Sequence, residues 1–215
     1  MFKFLTDISG FNRAFTADVP IAKETKITKG QIVKIVSNKA EARIPGPYLG
    51  VANETHTGEY DAFNPRNNGE LINVVISPRA VYAVEAPVLE FKTVGANETK
   101  AVSPAFVVYT TTDFVGGSLI FLSKGPTSGN TDKPGEIRQI TAYDVPTRTL
   151  TLTEGGIIGV DDKYAYIPPI GFRKLELNTT CTKIILTEAV GDFTITGYNL
   201  DTAEIHVICR NNLIN

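Results

Sequence analysis

The side chains that could do chemistry are a serine behind two glycines (Ser118), two histidines (His56, His206), two cysteines (Cys181, Cys209) and an aspartate pair (Asp161-Asp162). Each needs particular neighbours. A hydrolase serine sits in Gly-x-Ser-x-Gly on a sharp strand-to-helix turn and needs a histidine base. Gly116-Gly117-Ser118-Leu119-Ile120 lacks the closing glycine and leads into an apolar, strand-like run. Neither histidine lies near it in the chain. Zinc takes three or four Cys, His or acidic ligands at close spacing, whereas here two Cys and two His are scattered singly. His56, in Asn53-Glu54-Thr55-His56-Thr57-Gly58, reads as a solvated turn residue. His206 falls on the charged side of a strand and reads as a surface imidazole.

The remaining patterns are as bare. A phosphate-cradling loop closes on Gly-Lys-Ser/Thr; the run from Gly125 to Gly129 continues into Asn130 instead. Gly159-Val160-Asp161-Asp162-Lys163 could present carboxylate oxygens to calcium, but an Asp-rich turn before a strand accounts for it better. Paired carboxylates for glycoside cleavage can come from distant parts of a chain, and nothing marks out a pair. Trp is absent and no aromatic run suited to sugar stacking occurs. The expectation is therefore a protein that is not an enzyme, with no catalytic, cofactor-binding or metal residues.

The composition describes the scaffold. Of 215 residues, 64 are Thr, Val or Ile, and 30 are Gly or Pro spread along the chain. Branched side chains suit a pleated surface, and frequent Gly and Pro leave few windows for a long helix. The fold class expected is all-β: a small β-barrel or sandwich at the N-terminal side, then one or two further antiparallel β domains, with almost no helix. Net charge is −2, without the basic balance of a nucleic-acid binder. MFKFLTDISGF carries an apolar run too short for a signal peptide or membrane span, so folding in the cytoplasm is expected. Three Asn-x-Thr triplets, at Asn53, Asn97 and Asn178, then read as turn chemistry. Cys181 and Cys209 read as buried thiols. A disulfide between them stays open, since it needs their Cα atoms within about 7 Å.

Residues 1–20 are expected to be an arm, with apolar Phe2, Phe4, Leu5, Phe11 and Phe15 at no clean period, which either packs on its own domain or reaches a neighbouring subunit. Residues 21–94 hold the first β domain, with strands over Ile32–Val36, Tyr48–Ala52, Leu71–Ile76 and Ala80–Val84. Gly95–Lys100 reads as a linker. Residues 101–215 form a second β-rich domain, open to subdivision near 168–171. Strands are expected there at Ala105–Thr110, Leu119–Leu122, Ile137–Tyr143, Thr149–Thr153, Tyr164–Ile167, Phe172–Leu177, Lys183–Thr187, Phe193–Thr196 and Glu204–Arg210. Thr149–Thr153 alternates Thr with Leu, the mark of a strand with one wet face. Gly125–Gly135 (GPTSGNTDKPG) reads as a flexible loop.

The order and spacing of the four strands in 21–94, with the phrase LGVANETHTGE, resemble the small β-barrel of tailed-bacteriophage capsid decoration (cement) proteins. IRQITAYDVPTRTLTL is similar to hairpins of many phage virion proteins. The resemblance implies a structural protein on the capsid exterior, made in the host bacterial cytoplasm. It would act as a homotrimer and hold neighbouring major capsid protein subunits together, without nucleic acid or membrane partners. A tail, baseplate or receptor-binding β module is the alternative. Residues Lys23 to Arg43 carry six basic and two acidic groups. A solvated strand face explains the run, and contact with an acidic capsid patch is the sharper reading. The expected capsid-contact residues are Phe2, Phe4, Phe11, Phe15, Lys23, Lys26, Lys29, Lys34, Lys39 and Arg43.

Overall fold

The computed structural model describes residues 1–7, 15–21, 25–36, 39–42, 48–56, 71–76, 80–92, 97–102, 111–178 and 182–209. Within them the fold is all-β, with one helical turn, α1 (Thr111–Phe114). The strands are β1 (Lys3–Asp7), β2 (Thr16–Pro20), β3 (Ile32–Val36), β4 (Lys39–Glu41), β5 (Tyr48–Ala52), β6 (Leu71–Val75), β7 (Ala80–Glu85), β8 (Val88–Glu90) and β9 (Lys100–Val102). They continue as β10 (Ser118–Ser123), β11 (Ile137–Asp144), β12 (Thr149–Leu152), β13 (Lys163–Ile167), β14 (Leu175–Leu177), β15 (Ile184–Leu186), β16 (Phe193–Asn199) and β17 (Glu204–Cys209).

Strands β2-β6-β5-β3-β4 form one antiparallel sheet. It curls until Ile21, just past β2, bridges Ala40 of β4, so the sheet is a partly closed barrel. Val19, Ile21, Ile27, Val33, Ala40, Ala52, Ile72 and Val74 fill it. The period of two sends the intervening residues outward. Ile32, Val51 and Val75 then join a second, larger core.

The second sheet has the order β8-β13-β10-β11-β12-β9. Its hairpin β11–β12 turns through Val145–Arg148, close to the expected limits, with Leu150 and Leu152 buried. Phe114 lies 4.8 Å from the Tyr143 ring and 5.4 Å from that of Tyr166, centre to centre. Burial of such rings is worth about 1.5–3 kcal/mol each.

The third sheet, β1-β7-β17-β16, joins distant parts of the chain. Two expectations are corrected by it, and one left open is answered. Ala80–Val84 does not extend the barrel: all five residues are buried, so β7 is covered on both faces and sits between β1 and β17. The described residues of 1–20 are not a free arm but pack on the chain's own sheets. β1 pairs with β7, β2 is a barrel strand, and Phe2 stacks on Phe193 at 5.6 Å. The segment after 171, open between a third domain and part of the second, is not set apart: Leu175, Phe193 and Ile205 share one core with Phe121 and Tyr164. β8 and β9 extend this continuity. β8 pairs with β13, and Lys100 of the expected linker opens β9. Of the remaining expectations, Ala105–Thr110 lies outside the described residues. Phe172–Leu177 shortens to β14, since Phe172 N–H turns back to the Pro169 carbonyl. No helix among the described residues is long and apolar enough to cross a membrane.

Candidate interaction surface and a buried polar hub

The expected contact residues separate by burial. Phe15, at the entry to β2, is 63% exposed and touches β6 through its backbone, its carbonyl accepting from Ile76 N–H. Lys26 and Lys29, in the segment leading into β3, and Lys39 on β4 are also exposed. Lys29 N–H donates to the Thr55 hydroxyl at 3.0 Å. Three residues are withdrawn from the surface. Phe2 is 4% exposed in the core. Phe4 is half-buried with its ring edge on Tyr82. Lys34 is fully buried, sharing with Ile32 the strand face that turns away from solvent. Phe11, Lys23 and Arg43 lie outside the described residues.

The lone chemical residues are also placed. His56 is buried rather than solvated: Ile27 and His56 exchange backbone hydrogen bonds, and the imidazole Nδ1 lies 2.8 Å from the Thr25 carbonyl. His206 is half-buried on β17 opposite Gly197. Ser118 is buried in β10 and its hydroxyl donates to Gln139. Cys209 is half-buried on β17, and Cys181 lies outside the described residues. Among the described residues no group of three or more His, Cys, Asp or Glu is disposed to hold a metal.

The densest polar arrangement lies where sequence reading expects a flexible loop. Within Gly125–Gly135 three alternate side chains, Ser128, Asn130 and Asp132, are buried. Ser128 and Asn130 converge on Asp162, at 0% exposure. Its carboxylate accepts from Gly125 N–H (2.8 Å), the Ser128 hydroxyl (3.0 Å), the Asn130 amide (2.8 Å) and Gly159 N–H (2.7 Å). Buried and accepting from four protein donors, this carboxylate acts as a structural anchor. Asn130 also donates to the Tyr164 hydroxyl at 2.7 Å, and that hydroxyl donates to Asp132 at 2.6 Å. Burial, and the bond to Asp132, hold the Tyr164 phenol far above its ordinary value. Arg138 lies 3.7 Å from the Asp132 carboxylate, both side chains being buried. Its guanidinium donates to the carbonyls of Thr153, Gly156 and Glu98. A buried ion pair is tolerated when its remaining donors and acceptors are met, as they are here.

Two glycines show how closely the loops at 125–135 and 153–162 approach. A β-carbon on Gly159 would stand 2.1 Å from Ser128 Oγ, and one on Gly156 would stand 2.0 Å from Asn130 Oδ1. Beside this seam lies a cleft of about 350 Å³. The neighbouring Asp161 is half-buried, and its bond to Lys92 holds its carboxyl below the usual carboxylate range.

Compared with protein-family models, curated proteins and solved structures, the chain has no significant match to any of them.

Proposed function

We propose that this chain is a structural protein of a tailed-phage virion. It binds the outer surface of an assembled capsid as a homotrimer and stabilises contacts between major capsid protein subunits. It converts no substrate. The reading rests on the resemblance of 21–94 and of the 137–152 hairpin to phage virion proteins. The observation that carries it is the surface of the small barrel, which presents a largely exposed phenylalanine and three exposed lysines. Aromatic anchors contribute most of the affinity at protein interfaces, and rim charges mainly set encounter and register. Phe15 is the anchor, and Lys26, Lys29 and Lys39 are the charges that meet an acidic shell. Binding of this kind typically covers about 800 Å² per partner, and a ligand of the assembled state alone stabilises that state by mass action.

The test is co-sedimentation of the purified protein with undecorated capsids, together with shell melting temperature. Saturation at about one copy per major capsid subunit and a raised shell melting temperature are expected, as mass action requires. No binding, or a handful of copies at one vertex, overturns the reading. Phe15→Ala weakens shell binding by at least about tenfold, the scale of an interface anchor. Its own melting temperature stays unchanged, because the ring already sits in water.

A further inference from the structure

We propose that the cleft beside the polar hub receives a basic side chain, lysine or arginine, presented by a partner protein. The cleft lies between the loops 125–135 and 153–162, on a sheet separate from the barrel, so the inference stands apart from the capsid reading. Its volume, about 350 Å³, is at the small end of the roughly 300–1,000 Å³ typical of ligand sites. That suits a single side chain better than a folded segment.

Three observations define what fits. The walls are set in advance, because Asp162, Asp132 and Arg138 tie both loops together from beneath. A ligand therefore pays little for ordering them. Glu98 alone carries a charge among the described residues that line the cleft, and it forms no ion pair among the described residues. An anion would meet a like charge there, whereas an ammonium or guanidinium meets its opposite. The lining is also partly aliphatic. Ile157 is 39% exposed and Val160 half-buried, a surface along which the methylene stem of Lys or Arg lies while its head reaches the carboxylate. The hydroxyls of Thr127 and Thr131 line the same space and can accept from the head group.

The test uses the full ¹⁵N-labelled chain, titrated to millimolar concentration with blocked Gly-Lys-Gly and Gly-Arg-Gly tripeptides. Blocked Gly-Glu-Gly and Gly-Leu-Gly serve as controls. The amides of Gly129, Gly155, Gly156 and Gly159 are followed. Saturable shifts with a basic peptide, absent with the acidic one and weakened by added salt, are expected. Glu98→Gln should keep the folded spectrum and lower the affinity about threefold, the factor one exposed ion pair carries. The proposal is overturned if neither basic peptide shifts these amides. It is equally overturned if the leucine peptide shifts them as strongly, or if Glu98→Gln binds unchanged.

Discussion

Asp162 holds four donors on one carboxylate, and each would be stranded without it. Removing the acceptor from a buried network leaves those groups desolvated and unpaired. Asp162→Ala should therefore cost about 3–5 kcal/mol in urea unfolding. Limited proteolysis should then cut at Lys124 and Lys133, which the intact hub protects. Tyr164 supplies a pH dependence. Its phenol stays protonated in the fold beyond the value, about 10, at which it ionises in the unfolded chain. Its contribution is thus complete below about pH 10 and lost as pH rises further, because only the unfolded chain releases the proton. Denaturant melts across alkaline pH should show that decline, and Tyr164→Phe should flatten it. Little of this hub is legible in the sequence. Ser128, Asn130 and Asp132 recur at a period of two, but sequence reading tracks apolar periods, and a polar alternation between glycines and prolines looks like solvated loop. Asp161-Asp162 does stand out as a turn; the burial of its second member does not.

Elements were readable where a strand has one dry and one wet face. Thr149–Leu152 and Ile137–Asp144 show that alternation, and the hairpin they form follows from it. Three-residue strands such as β4, β8 and β9 carry too few letters to show a period, and only pairing with neighbours reveals them. β7 misleads for the opposite reason. A strand buried on both faces is a plain apolar run, and such a run says nothing about which sheet it enters. The loop pair at 125–135 and 153–162 behaves as one element, joined across a seam too narrow for a β-carbon at Gly159. Gly159→Ala must push the loops apart or displace Ser128 from Asp162. The expected loss is about 1–3 kcal/mol by chemical denaturation, with the far-ultraviolet circular dichroism of the sheets retained.

Across the whole molecule, the barrel and the third sheet meet over one core in which Phe2, Ile32, Val51 and Phe193 take part. Phe2→Ala should destabilise the protein by about 3–5 kcal/mol in equilibrium unfolding. A free arm would give no change. The all-β class and three of the five barrel strands, β3, β5 and β6, follow from composition and spacing. The union of β1 with β7 and β17 does not, since pairing across nearly the whole chain leaves no local mark. That union also sets a timetable for synthesis. β7 has β17 as one of its two neighbours, so a nascent chain still short of residue 204 on the ribosome holds a hydrophobic strand with one flank bare. The barrel can close early, but the central sheet is completed only after translation has passed Cys209. Until then, other unfinished copies on the same messenger are the nearest competitors for that flank.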